Sequence, residues 1–283
     1  MTFLAIIIAL VLMQAWGSGS RVHRDDWFLS WQSRAANWSA GPQVKLALVV
    51  LMPVTLAQIT LNVLAPVLFG LLWIAMAVVL LLYSFGRRDF HELMARYRDQ
   101  CHSADFEGAY LSTLPELGWA TSQDDPVSPR EVHALVQRCF IYEGYQRWFA
   151  VLFYFVLLGP AGALAYRLLQ LCRHDNFEAE LAERWIFLAD WIPARLLAAA
   201  FTLTGDFVGS RDKLLAGLRD ASAEISQLLY AVASAALGNM PAEFLDDLAF
   251  GQAAAAENKE TGSLLSRSAA AWVVVISVAV LLF

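Results

Sequence analysis

Charge is scarce in this chain. Asp, Glu, Lys and Arg make up only 16% of its 283 residues, where a soluble domain carries about a quarter. A basic excess is also lacking: 20 Lys plus Arg stand against 26 Asp plus Glu, for a net charge of −6. That excludes a nucleic-acid binder relying on a cationic surface. Cysteine is rare, and Cys101, Cys139 and Cys172 form an odd set without C-x-x-C spacing. A disulfide framework is therefore excluded, and free buried thiols in a reducing compartment are expected. Neither GxGxxG nor GxxxxGK[ST] occurs, so no glycine-rich loop is present to cradle phosphate. Gly17-Ser-Gly-Ser20 reads as a linker. His91-Glu92 opens like HExxH, but position 95 is Ala. The histidines at 23, 91, 102, 133 and 174 show no ligand spacing; Cys101, His102 and Asp105 form a candidate ligand set, but chance proximity at the surface is the favoured reading. No metal and no cofactor is expected. No internal repeat is visible.

What the chain has in excess is apolar side chains, at 58% with a mean hydropathy of +0.50, and they fall in runs. A crossing of about 30 Å of hydrocarbon takes about 20 mostly apolar residues as helix. Thr2–Trp16 is such a run, followed and not preceded by basic residues, Arg21 and Arg24. By the positive-inside rule it is an uncleaved anchor with its N-terminus outside. Val44–Phe85 carries one charge, Lys45. As helix it is about 63 Å long, which is two spans, with the turn near Asn62–Pro66. Arg87 and Arg88 close the second, so both flanks of this pair face the cytoplasm. Ser268–Phe283 is a last uncharged run behind Arg267.

The stretch 148–205 admits two arrangements. Trp148–Cys172 is apolar but broken at Gly159-Pro160, and Ile186–Gly205 is apolar but carries Asp190 and Arg195. With six spans both segments cross, which puts Arg173 and Arg184 outside. With four spans the first is a re-entrant hairpin with its apex at Gly159-Pro160 and the second is partly inserted, bent at Pro193; every Lys and Arg is then on or near the cytoplasmic side. Charge bias and the helix break favour four.

The expected fold is all-α, a multi-pass helical membrane protein with four full spans and one re-entrant helical hairpin. Its parts are three N-terminal spans over 1–85 with a cytoplasmic loop at 17–43, and a cytoplasmic helical insertion over 86–147. The hairpin and partly inserted helix follow over 148–205, then cytoplasmic amphipathic helices and a hinge over 206–267, and the last span over 268–283. Within these, Arg87–Gln100 reads as a mixed-charge helix, followed by a turn-rich patch over 122–129. Ser128-Pro129 reads as N-cap and first residue of the next helix, with Glu131 in its first turn. Arg211–Leu237 reads as one amphipathic helix stopped by Gly238. Pro241–Phe250 reads as a short helix, and the Ala-rich Gly251–Gly262 as a hinge.

The candidate site is a set of ionisable groups at the edge of the apolar segments: Glu143, Arg147, Tyr166, Arg167, Asp190 and Arg195. A charge at membrane depth costs about 3 kcal/mol even on the lenient scale, so these groups must pair or line a wet cavity. Contacts Arg167–Asp190 or Glu143–Arg195 are expected. Two readings stand side by side: a pocket binding an anionic ligand through Arg167 and Arg195, or a salt-bridge cluster joining hairpin to helix with snorkelling arginines. The aromatic run Trp148–Phe155 reads as an interfacial belt plus core.

Residues 150–167, AVLFYFVLLGPAGALAYR, followed by 190–196, DWIPARL, resemble the core of the CobD/CbiB–AmpE superfamily. The resemblance is specific over about 140–205. The enzyme branch makes an amide bond with ATP in cobalamin synthesis and carries E-N-x-x-D before A-P-L-F. Here those positions hold Tyr142, Glu143 and Gln146, with Val151 for the Pro. Its N-x-x-D after A-Y-R is Gln170 and Arg173 here, and its Asn before W-I-P is Asp190. The carboxylates that would handle metal and nucleotide are replaced, one by a cation that repels Mg²⁺. The pattern is thus similar to the AmpE branch, inner-membrane proteins implicated in modulating β-lactamase induction. The resemblance implies a non-catalytic signalling protein of the bacterial inner membrane, linked to cell-wall recycling. Its partners would be membrane lipid and an anionic wall-derived ligand or a cytoplasmic protein. The alternative is an ATP-dependent amide-forming enzyme of the CobD/CbiB type. A small transporter is a third reading, supported only by the broken segment, since no paired inverted halves are visible.

Overall fold

The structure, a computed structural model, describes residues 2–16, 25–85, 90–119, 128–174, 177–238 and 246–282. In chain order the helices are α1 (Thr2–Trp16), α2 (Asp26–Ala36), α3 (Pro42–Leu64), then a 3₁₀ turn (Val67–Gly70) into α4 (Leu71–Ser84), α5 (Phe90–His102), α6 (Phe106–Glu116) and α7 (Pro129–Gly144). A π-helical turn (Tyr145–Ala150) leads to α8 (Val151–Leu158), α9 (Pro160–His174), α10 (Ala179–Thr204), α11 (Phe207–Arg219), α12 (Ile225–Leu237) and α13 (Asp247–Leu282). No strand occurs among the described residues. The basic flanks at 21, 24, 87 and 88, the Gly-Ser linker, the patch over 122–127 and the start of the short helix expected at Pro241 lie outside the described residues.

Among the described residues four stretches are long and apolar enough to cross a membrane: Pro42–Leu64, Val67–Ser84, Ala179–Thr204 and Asp247–Val278. Only 28% of the apolar window in α3 is buried within the protein; Leu48, Leu51, Leu56, Ile59 and Val63 are uncovered. A continuous row of that size belongs in hydrocarbon and not in water. The chain is an all-α, multi-pass membrane protein.

The number four matches expectation, but the membership differs. The run Thr2–Trp16 forms a helix of 15 residues, about 22 Å long and short of the hydrocarbon thickness. Its place among the long helices is taken by α10, an unbroken helix of 26 residues that runs straight through Pro193. Proline at 193 removes the N–H that would bind the carbonyl of Ala189. That carbonyl instead accepts from the Tyr154 hydroxyl at 2.8 Å, so the helix continues. Helix α3 repeats the device. Pro53 lies inside it, and the orphaned Val49 carbonyl accepts from the Trp31 indole N–H at 3.2 Å.

Two further expectations are revised. The hinge over 251–262 is helix, part of the 36 residues of α13; alanine has the best helix propensity and its abundance decides. The single helix over 211–237 divides at Asp220, whose carboxylate accepts from the Ser222 backbone N–H at 2.9 Å and the Ser222 hydroxyl at 2.7 Å. That local turn competes with the helix and ends it. Other signals hold. Ser128 and Glu131 form a reciprocal capping box, Gly238 ends α12 with φ 80°, and Gly159 breaks α8 from α9 with φ 77°.

Contacts divide the chain into two compact units. Unit 1 comprises 1–89, 147–191 and 276–283. Its core joins α2, α3, α4, α9 and the start of α10 through Phe28, Leu46, Val49, Leu61, Leu80, Leu168 and Ala182. Unit 2 comprises 90–146 and 192–275. In it α5, α6 and α7 pack in sequence, and α12 packs on both α7 and α11. A Cβ on Gly217 would run into Leu228, so glycine there sets how closely α11 approaches α12.

Candidate functional site

The motif residues of unit 1 sit on a helical hairpin. Gly159 supplies the left-handed turn that a side chain would resist, and Pro160 starts α9 with its φ preset. The two arms fold back on each other: a Cβ on Gly162 would meet Leu158 and the Tyr154 carbonyl. This closeness brings Tyr154 of α8 onto Tyr166 of α9, stacked at 5.2 Å between ring centres and 21° between planes.

The stacked tyrosines grip the start of the DWIPARL run. The Tyr166 hydroxyl donates to the Asp190 carboxylate at 2.6 Å, and Tyr154 holds the adjacent Ala189 carbonyl. Asp190 is wholly buried and Tyr166 nearly so. A short O–H···O⁻ bond is among the stronger neutral-to-charged kinds. It is what lets an acid stand inside an apolar unit.

One residue on, Arg167 turns to a different acid. Its Nη2 lies 3.5 Å from Asp25 Oδ2, with 12% and 6% of the two side chains exposed; its Nη1 donates to the Gln170 carbonyl oxygen at 3.4 Å. Asp25 stands at the N-cap of α2, yet its side chain makes no capping bond. Its carboxylate faces Arg167 instead, and the Tyr83 phenol faces that same carboxylate. Arginine on α9 is thereby tied to the N-terminus of α2. Asp25 is the member sequence reasoning missed, because an Asp before a helix reads as a cap.

The six expected residues do not fall in one unit. Arg147, Tyr166, Arg167 and Asp190 belong to unit 1, whereas Glu143 and Arg195 belong to unit 2. Arg147 lies half-buried in the π-helical turn, a backbone irregularity found often at functional positions. In unit 2 Arg195 is buried and its Nη2 donates to the Asp220 carbonyl at 2.8 Å and the Gly217 carbonyl at 3.4 Å. It closes the end of α11, a favourable place for a cation. Glu143 is half-buried at the next-to-last residue of α7.

Unit 2 holds a second buried polar network that spacing did not reveal. His133 Nδ1 lies 2.7 Å from the Tyr97 hydroxyl and its Nε2 3.2 Å from Glu257. Phe250 meets the imidazole edge to face, while Tyr97 stacks on it. Burial pushes Tyr97 well above the usual phenol range and the neighbouring Cys101 thiol up to about 11. Cys139 on α7 is raised by burial as well. The three network residues come from α5, α7 and α13, too far apart in sequence to form a motif. Among the described residues no three His, Cys, Asp or Glu side chains are grouped closely enough to hold a metal ion.

A family model described as regulatory signalling modulator protein AmpE matches residues 1–282, and the chain belongs to that family. No curated protein and no solved structure matches it.

Proposed function

We propose that this AmpE-family chain, a regulatory signalling protein, works in the bacterial inner membrane as a non-catalytic modulator of β-lactamase induction, coupled to cell-wall recycling. One observation carries the finer reading: a buried cation, Arg167, held by an acid from another element, Asp25, at 3.5 Å. A tight charge-assisted N–H···O bond is about 2.8 Å. The pair is therefore loose, and an anion of better geometry can take the guanidinium in Asp25's place. Breaking a buried pair costs about 3–5 kcal/mol when one charge is left uncompensated. A carboxylate-bearing wall fragment would remove that cost at the arginine while releasing the start of α2. Tyr166 and Asp190 hold the hairpin that presents Arg167, and Arg147 adds a second cation in the same unit. In unit 2, the half-buried Glu143 is the group offered to a cytoplasmic protein partner, while Arg195 holds the end of α11 in place.

The alternative is an ATP-dependent amide-forming enzyme within the wider CobD/CbiB superfamily, with Glu143, which stands at the Asn position of that branch's acidic motif, as its candidate acid. Purified protein in detergent is expected to show no Mg-dependent ATP turnover; turnover abolished by Glu143→Ala would establish the enzyme.

A thermal-shift series against muropeptides, nucleotides and corrinoids tests the ligand reading. Muropeptides are expected to raise the midpoint of the wild type. Asp25→Asn should enlarge that rise by freeing the cation, and Arg167→Gln should remove it. If muropeptides leave the wild type unmoved, or if both variants respond alike, the anion-exchange reading fails.

A further inference from the structure

Helix α2 lies along α3 in the opposite direction. The Lys45 ammonium donates to the Ala36 carbonyl at 3.0 Å, and Trp31 donates to the Val49 carbonyl. Between the helices opens a groove of about 670 Å³. Its α2 wall is Trp27, Trp31 and Arg34, which share a face at i, i+4 and i+7. Its α3 wall is Met52, Leu56 and Ile59, all exposed.

The groove is charged at one end only, and its two hydroxyls, Ser30 and Thr55, donate to carbonyls of their own helices. Arg34 is its single charge, and it makes no ion pair among the described residues. The antiparallel register sets Arg34 toward the Lys45 end of α3, where the span begins. Leu56 and Ile59 lie about 15 Å further along the helix. A cation at the mouth, indoles next, then bare aliphatic side chains deeper in the span is the polarity gradient of a membrane lipid read from headgroup to tail. The walls are fixed before anything binds. Trp31 is held by the carbonyl that Pro53 leaves unbonded, and Trp38 meets its ring edge to face at 5.4 Å. The exposed Leu48 and Leu51 continue the same span.

We infer that this groove is a site for an anionic glycerophospholipid, with the headgroup phosphate on Arg34 and an acyl chain over Met52, Leu56 and Ile59. A zwitterionic lipid offers the same phosphate and tails but carries its own compensating ammonium, so net negative charge is selected. One Arg near an anionic headgroup gives a preference of about five-fold. The site is separate from the Arg167–Asp25 pair and does not depend on the ligand proposed there.

Native mass spectrometry of the full chain, released from detergent with equal dioleoyl-phosphatidylglycerol and dioleoyl-phosphatidylcholine, reads this directly. The wild type is expected to retain phosphatidylglycerol about five-fold over phosphatidylcholine. Arg34→Gln should lose the preference and Arg34→Lys should keep it, while Arg184→Gln, which removes an exposed cation bonded to Glu180, should not alter it. Equal retention of both lipids by the wild type would overturn the inference. So would an unchanged preference in Arg34→Gln, or the same loss in Arg184→Gln.

Discussion

At the scale of single residues, this membrane protein holds several of its buried polar groups by pairing them across elements. Tyr166 serves Asp190, Asp25 serves Arg167, and Tyr97 with Glu257 brackets His133. The thiols are handled by burial alone. Cys101 is fully buried, and its pKa near 11 keeps it protonated where an ordinary thiol, at about 8.5, is partly ionised. The sign follows from the raised folded-state value: the thiol favours the fold below about pH 8.5, and that advantage is lost as pH rises from there toward 11. Native protein at pH 8 is thus expected to leave Cys101 unalkylated by iodoacetamide over hours, with full reaction after unfolding in SDS. Rapid labelling of Cys101 in the native state at pH 8 would contradict its burial.

At the scale of elements, the two proline-bearing helices α3 and α10 are completed by aromatic side chains from their neighbours. Trp31 caps Val49 behind Pro53, and Tyr154 caps Ala189 behind Pro193. Each bond answers a vacancy that the proline creates, so the two residues should act as a unit. In a double-mutant cycle, Tyr154→Phe should destabilise the wild type by about 1 kcal/mol and the Pro193→Ala background by much less. Additive effects would mean that the hydroxyl is not there for the proline. This pairing also explains what the sequence left unread. Gly159-Pro160 and the Ser128 box were legible because turn and cap chemistry is local. Pro193 alone reads as a bend, since its remedy comes from Tyr154 on another helix. Asp25 reads as a cap, since Arg167 lies far along the chain. The break at Asp220 lay hidden in an apolar periodicity that continues across it. His133 showed no ligand spacing because its partners sit on α5 and α13.

At the scale of the whole molecule, a multi-pass helical scaffold carries a small number of buried charges, and the family assignment over 1–282 gives it a regulatory role. The folded-back arms of the α8–α9 hairpin suit a re-entrant element that leaves the membrane on the side it entered. Single cysteines placed at Leu64 and at Glu178 in a cysteine-free chain report on this. Label added outside intact cells is expected to reach position 64 and not 178; labelling of both would show that the α8–α9 segment crosses the membrane. The most direct test of the central claim, that the Arg167–Asp25 pair is the exchangeable part of a signalling device, is inducible β-lactamase activity in cells carrying the variants, with membrane protein levels measured alongside. Asp25→Asn and Arg167→Gln should shift induction in opposite directions at normal protein levels. Induction that stays at the wild-type level in both, or that falls only as the protein disappears, would contradict it.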